Sequence, residues 1–176
     1  MNPLRPFLLA RYAAATLLAS VALTAGGTAH AGECPKEHVL ATPRAVEEKP
    51  DIGVARPTLT VVHLKDWRGV GDLYLRMRQL TIAKDGVVPT HQHDDRPSIV
   101  YIAKGELIEH SSFCAVPILH REGEWSPEFG PGHEHWWENR TGKDVVVISA
   151  DVIPPEYFDP GSEHLRNSQG DAKNNM

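Results

Sequence analysis

The stretches GVVPTHQHDDRPSIVYIAKG, residues 86–105, and GEWSPEFGPGHEHWWEN, residues 123–139, decide the fold of this chain. Each contains two histidines separated by one residue, next to glycine and proline turn residues. These pairs are His91 with His93 and His133 with His135. Residues two apart on an extended strand leave the same face, so each pair can reach one ion. A single pair fits two solvated histidines equally well, but two pairs beside turns predict a metal site.

Short apolar runs recur around these stretches, with turns such as Asp85–Gly86 between them. They are Leu59–Leu64, Leu73–Ile82, Ile99–Ala103, Leu107–Ser112, Val116–His120 and Val145–Val152. Short strands at this spacing are typical of a β-sandwich or barrel. The 14 glycines and 14 prolines also favour turns and short strands, and they argue against an all-helical bundle.

The length and the charge limit the class of protein. A chain of 176 residues is long enough for one domain of ordinary size. It carries 18 Lys and Arg against 23 Asp and Glu, a net charge of -5, and no stretch has clustered cations. Since binding to a phosphate backbone requires such a cluster, we expect no nucleic acid partner.

The first 31 residues have the composition of an export signal. They contain no carboxylate, and Arg5 and Arg11 precede an apolar run at residues 12–25. Small residues then follow at Ala29 and Ala31, as signal peptidase requires. This order predicts a signal peptide at residues 1–31 and a mature protein that is periplasmic or secreted. The alternative is a membrane anchor, which needs about 20 apolar residues, so we expect no membrane partner after cleavage.

The remaining chain divides into three parts. Residues 32–57 are polar and rich in proline, which predicts an extended N-terminal arm, and residues 58–154 hold the strand signals. Residues 155–176 form a polar tail. In an oxidising compartment Cys34 and Cys114 are expected to pair and to tie the arm to the strands. The alternative is a free Cys114 thiol near the metal.

The two stretches resemble the paired motifs of the cupin superfamily, G-x5-H-x-H-x(3,4)-E-x6-G and G-x5-P-x-G-x2-H-x3-N. The second half of each motif is in register, ending on Gly105 and on Asn139. Both leading glycines are displaced by one residue, and Gly130 replaces the first proline. The most informative departure is Ser98, which stands where the family has a glutamate ligand.

The resemblance implies a small antiparallel β-barrel, or jelly roll, with one divalent transition metal held by His91, His93 and His135. Because a serine hydroxyl is a poor ligand compared with a carboxylate, the implied shell is three neutral imidazoles with open positions. Iron is favoured by analogy with cupin dioxygenases that have three histidines. Zinc, copper, manganese and nickel remain open, since imidazole suits several of these metals.

The shell and the reaction stay open on several points. In one alternative Asp94, Asp95 or His133 completes the metal shell, and in another the pocket is free of metal. The resemblance implies an oxygen-dependent oxidoreductase of the dioxygenase type, acting on a small organic substrate, in which Glu134 or His133 handles protons. The other functions are a cupin that binds or senses a small molecule without turnover, and a non-redox isomerase or lyase. Dimers are common among cupins, which leaves a homodimer open.

Other side chains near the motifs have two interpretations each. Aromatic residues would either form an apolar mouth for the site or fill the core. These are Trp125, Trp136, Trp137, Tyr101 and Phe129. Arg76 and Arg78 share one face of a strand, where they hold a substrate carboxylate if that face is inward and are solvated if it is outward. His110 is a weak candidate for an inward position. The histidines expected at the surface are His63, His120 and His164.

Overall fold

The computed structural model describes residues 33–157. The predicted signal peptide, residues 158–176 of the tail and His164 lie outside the described residues. Within them the chain forms the strands β1 (Ile52–Ala55), β2 (Thr58–His63), β3 (Tyr74–Gln92), β4 (Ser98–Lys104), β5 (Glu106–Ser111), β6 (Ile118–Arg121), β7 (Trp125–Glu128), β8 (Glu134–Glu138) and β9 (Val145–Ile153). Two short 3-10 helices span Lys36–His38 and Pro155–Tyr157. No helix in residues 33–157 has the length and apolar character needed to cross a membrane.

The strands form one antiparallel sheet in the order β6-β5-β8-β3-β9-β4-β7, and β1 and β2 also pair with β3. β6 and β7 stand at opposite ends of this order although they follow each other in the chain. The turn between them bonds back to β4, where Gly123 N donates to Ile102 O and Ile102 N donates to Glu124 O. The sheet therefore curls into a nearly closed barrel, which confirms the all-β, cupin-like fold expected from the sequence.

The long strand β3 carries a kink at the Asp85–Gly86 dipeptide. The sequence indicated a turn here and an end of the strand at Ile82, but β3 continues to Gln92 and exchanges β9 for β8 as its neighbour. Asp85 has a φ of 60°, and a Cβ on Gly86 would lie 2.8 Å from a backbone oxygen. The Asn139 side chain holds the kink by donating to Ile82 O. The turn signal thus bends one strand instead of separating two.

The inner face of the barrel changes from apolar to polar along β9. Buried and half-buried residues alternate through this strand, as expected when one face is inside. Its buried residues change from Val145 and Val147 to Ser149 and Asp151. Around the valines lies a buried apolar cluster. Its members include Leu80, Ile82, Val88, Ile102, Leu107 and Trp137. The candidate site lies where this face becomes polar.

The segment before the barrel is bonded to the turn that follows β5. Cys34 and Cys114 form the expected disulfide, and Leu40 N donates to Phe113 O nearby. The sequence placed the start of the sheet at Thr58, but β1 already pairs with β3. Most of the four residues of β1 are exposed, so buried and exposed positions do not alternate along this strand. The sequence therefore has no alternating apolar pattern here that would predict a strand.

Candidate metal centre

The three histidines expected as ligands come together on the inner face of the barrel. The antiparallel pairing of β3 and β8 places His91 opposite His135, and His93 follows two residues after His91. The ring centroids are 4.6 Å apart for His91 and His135, 4.9 Å for His91 and His93, and 5.0 Å for His93 and His135. One nitrogen of each ring lies within 4.8 Å of the other two, which is close enough to share one ion.

Each of these rings has its Nδ1 occupied by an oxygen acceptor. The acceptors are Pro89 O for His91, Arg96 O for His93 and Glu109 Oε1 for His135, each at 2.8 Å. A carbonyl or carboxylate oxygen can only accept, so Nδ1 must carry the proton in the neutral ring. The three Nε2 atoms are therefore left with free lone pairs, which is the tautomer a metal needs.

The arrangement of the free nitrogens fits a cation. His135 Nε2 lies 3.1 Å from His91 Nε2, and with both protons on Nδ1 this contact holds no hydrogen. Two lone pairs that face each other repel, and a cation between them removes the repulsion. Two nitrogen ligands that each lie about 2.0–2.1 Å from a zinc ion are about 3 Å apart at ordinary coordination angles. The distance between His135 Nε2 and His91 Nε2 therefore agrees with binding of one metal ion by both atoms.

Burial keeps these imidazoles neutral. Burial, with a smaller contribution from the neighbouring histidines, lowers the pKa of His91 to about 2 and that of His135 to about 3, and Glu128 opposes the shift of His135. Burial also lowers the pKa of His93. A neutral imidazole is the form that binds a metal, so the three rings do not need to lose a proton near neutral pH.

The two aspartates considered as additional ligands do not belong to the histidine group that the described residues form. Asp94 is exposed and accepts a hydrogen bond of 2.7 Å from Gly132 N, so it fixes the turn before β8. Asp95 is exposed. Ser98, at the position of the family glutamate, is buried and lies 3.5 Å from the Ser149 hydroxyl. Three imidazoles therefore remain the donor set that the described residues bring together around His91.

A buried glutamate that the sequence did not single out supports His135. Glu109 on β5 accepts from His135 Nδ1 through Oε1 and lies 2.8 Å from His120 Nε2 through Oε2. His120 was expected at the surface, but it is completely buried. The prediction for His120 is wrong because β6 turns this side chain inward beneath Glu109. One feature of the sequence could have indicated that Glu109 is buried: it lies two residues after the apolar Leu107 on the same strand, so both side chains point to the same face.

A second buried acid, Glu128, lies beside His133. Glu128 Oε2 is 2.7 Å from His133 Nε2 and 3.6 Å from His135 Nδ1, and only 1% of the residue is exposed. The His133–Glu128 contact has the length of an ion pair but is not aligned as a hydrogen bond. Burial alone would lower the pKa of His133, but Glu128 raises it. His133 is thus charged more readily than the three candidate ligands.

The structure does not support a role for Glu134 at the histidines. Glu134 pairs with Gln92 on β3, one position away from the pair of His91 and His135. Adjacent residues of a strand point to opposite faces, so Glu134 lies on the outer face. Trp136 shares that face and stacks on His110 with ring centroids 3.8 Å apart. The weak expectation of an inward His110 is therefore wrong as well.

Of the two interpretations of the aromatic residues near the motifs, the apolar mouth is not formed by Trp125, Tyr101 or Phe129. Trp125 is 67% exposed and Phe129 62% exposed, and Tyr101 is exposed too. Trp137 is buried and lines the cavity beside His135, where its ring centroid is 5.7 Å from that of the histidine. These positions were close to the motifs in sequence, but strand parity turns the exposed aromatics away from the interior.

A cavity of about 210 Å³ connects the histidines with a group of arginines. Its wall includes Leu80, Leu107, Trp137, Ser98 and Glu128 besides the three histidines, and Arg56, Arg78 and Arg96 also line it. Arg76 and Arg78 face inward, where both bind the buried Asp151. Of the two orientations open from the sequence, the inward one is therefore present.

An antiparallel barrel with histidines from two glycine- and proline-flanked motifs on its inner face defines a cupin-like fold with a candidate site for one divalent metal. Neither models of protein families nor curated proteins match the chain.

Solved structures resemble it in fold. One is a predicted oxalate decarboxylase from Thermotoga maritima, with 17% identity, a TM-score of 0.40 and coverage of 54% of this chain and 93% of that one. KdgF from a Halomonas species has 14% identity, a TM-score of 0.45 and coverage of 60% and 84%. An RmlC-like cupin from Shewanella frigidimarina has 14% identity, a TM-score of 0.44 and coverage of 64% and 86%. Similarity this low does not transfer an activity, because one barrel hosts many chemistries.

Proposed function

We propose that this chain is an exported metal-binding cupin that works as an oxygen-dependent oxidoreductase of the dioxygenase type on a small organic substrate. The observation that supports it most is the donor set. His91, His93 and His135 each have Nδ1 tied to an acceptor, so that three unprotonated nitrogens converge in a cavity. When bound there, iron or copper would supply Lewis acidity and one-electron redox chemistry.

The chain's own residues fix the geometry of such a site. Glu109 holds the ring of His135 in one orientation and one tautomer, and it is held in turn by His120. The apolar wall that includes Leu107 and Trp137 excludes water from one side of the cavity. A metal held by three protein ligands keeps a coordination position for a substrate, which is the usual difference between a catalytic site and a closed structural site.

Glu128 and His133 can hold one proton at the edge of the site. Glu128 lines the cavity, and its Oε2 lies 2.7 Å from His133 Nε2. A small rotation of the His133 ring would align its N–H with the carboxylate, so that a proton could pass between the imidazole and a substrate at the cavity. This pair replaces Glu134 as the proton carrier in the proposal, while His133 keeps the role expected from the sequence.

Metal analysis of the purified protein tests the site. We expect about one equivalent of a divalent transition metal per chain, and we expect His135→Ala to lose it. His110→Ala is the matched control, because this histidine lies on the outer face of the same sheet and should leave the metal content unchanged. Retention of the metal by His135→Ala would show that the ligands are wrongly assigned.

Oxygen consumption tests the reaction. The iron-loaded protein is screened in an oxygen electrode with small phenolics, diketones and thiols, and uptake should depend on both the substrate and His135. Metal binding without any uptake would remove the oxidoreductase and leave the non-redox and binding alternatives. Export is supported by the pattern of residues 1–31 and by the disulfide of Cys34 and Cys114. N-terminal sequencing of the mature protein should begin at Gly32.

A further inference from the structure

Three arginines gather around one buried carboxylate, and a fourth lines the cavity beside them. Asp151 Oδ2 lies 2.7 Å from Arg76 Nη2, 3.1 Å from Arg78 Nη2 and 3.5 Å from Arg96 Nη1. Arg56 lies close by and pairs with Asp51. Three guanidinium groups thus share Asp151, which can neutralise only one positive charge.

Two of these arginines have buried N–H groups that nothing satisfies. Arg78 Nε and Arg56 Nη2 are inaccessible to solvent, and neither has a hydrogen-bond partner among residues 33–157. A buried donor without a partner is costly, and it is rare in folded proteins unless a ligand or water completes it. Both arginines line the cavity that also contains the three histidines.

The electrostatic surroundings of Arg78 are unfavourable for its charge. Burial lowers the pKa of Arg78 to about 10; Asp151 opposes this shift, and the charges of Arg76, Arg96 and Arg56 contribute to it. The guanidinium nevertheless stays charged at neutral pH. Glu128 is the acid that lines the cavity, and the ion pairs it makes within residues 33–157 are with His133 and His135. An anion in the cavity would therefore relieve both the charge and the unpaired donors.

We infer that Arg78 and Arg56 form a carboxylate-binding subsite beside the three histidines, so that the ligand of this protein is a small organic acid. Guanidinium groups bind planar anions such as carboxylates well, and both arginines line the cavity. A cavity of about 210 Å³ admits only a small molecule. The statement that this acid is a substrate rests on the proposed function, whereas the anion site rests on the arginines alone.

Binding of simple acids and their amides tests the subsite. Propionate and benzoate are compared with propionamide and benzamide by calorimetry or ligand-observed NMR at constant ionic strength, on protein freed of metal with a chelator and on protein reloaded with zinc. Inorganic phosphate is the third probe. We expect the acids to bind at least tenfold more tightly than the amides, with or without metal.

Substitutions assign the binding to the arginines. Arg78→Met should weaken binding of the acids at least tenfold, and Arg140→Met is the matched control, since Arg140 pairs with Glu138 on the outer face. Arg56→Met leaves the contacts of Asp151 intact and tests the same subsite if Arg78→Met does not fold. Acids that bind no better than amides, or equally well after both substitutions, would overturn the inference. Phosphate bound more tightly than both acids would overturn the carboxylate assignment.

The outcomes separate this inference from the proposed function. If acid binding survives Arg78→Met and Arg56→Met but disappears with the metal, the histidine site stands and the arginine subsite is refuted. If the protein binds acids through Arg78 but holds no metal, the proposed function fails and the subsite stands.

Discussion

Replacing Glu109 by glutamine tests how the barrel prepares His135 for a metal. The carboxylate accepts from His135 Nδ1 and contacts His120 Nε2, both at 2.8 Å. A carboxamide of the same size has one acceptor and one donor, so it can satisfy only one of the two histidines in its present tautomer.

Either orientation of the new amide has a measurable cost. If its oxygen faces His135, then His120 must move its proton to Nδ1, which is buried and has no partner within residues 33–157. An unpaired buried donor costs about 1–3 kcal/mol, so the free energy of unfolding should fall by that amount. If the amide N–H faces His135 instead, the proton of that ring must move to Nε2 and block the lone pair needed for the metal.

The expected loss of metal affinity follows from the role of Glu109 behind the ligand. Substitution of a group that orients a metal-bound histidine lowers affinity about 10- to 100-fold. This corresponds to about 1.4–2.8 kcal/mol of binding free energy. Competition with a chromophoric chelator measures the affinity, and urea unfolding of the metal-free protein measures the stability.

Glu106→Gln is the control for Glu109→Gln, because Glu106 is an exposed residue of the same strand. It should change neither quantity. If Glu109→Gln also leaves both the affinity and the stability at their original values, then Glu109 does not set the tautomer of His135, and the geometric argument for the metal centre fails.

Two further predictions concern the stability of the barrel. Burial alone would raise the pKa of Asp151, but the hydrogen bond from Arg76 and the charge of Arg78 bring it below the value of about 3.9 in an unfolded chain. The ionised Asp151 therefore stabilises the fold above about pH 4, and this contribution is lost as the pH falls through its folded pKa. The urea midpoint should decline less between about pH 6 and pH 3 for Asp151→Asn than for the original protein. Parallel declines of the two midpoints would contradict this prediction. Replacing Cys34 and Cys114 together by serine should lower the free energy of unfolding by at most about 4–5 kcal/mol, because the disulfide closes a long loop, and an unchanged urea midpoint would refute that contribution.

The barrel could be predicted because its strands carry local signals. Residues 145–152 alternate inward and outward as the sequence indicated, and β9 has nearly these bounds. The bounds of β3 could not be found in the same way, because Asp85–Gly86 is a good turn dipeptide in isolation. Its effect depends on Asn139, which lies far along the chain; the side chain donates to Ile82 O and Ala83 O before the kink, and the backbone N donates to Gly86 O. A local pattern does not contain that contact.

The convergence of the histidines was also predictable, whereas the acids behind them were not. His91 and His135 follow from a spacing of two residues and from the pairing of two motifs, which sequence displays directly. Glu109 and Glu128 look like ordinary surface acids, since a glutamate is almost never fully buried unless it is paired. Their partners come from other strands, so their burial becomes visible only in the folded barrel. Both buried glutamates contact histidines, and Glu109 fixes the proton of His135 on Nδ1. The buried Asp151 is held by arginines instead, so burial of an acid depends on partners from other strands that no local pattern shows.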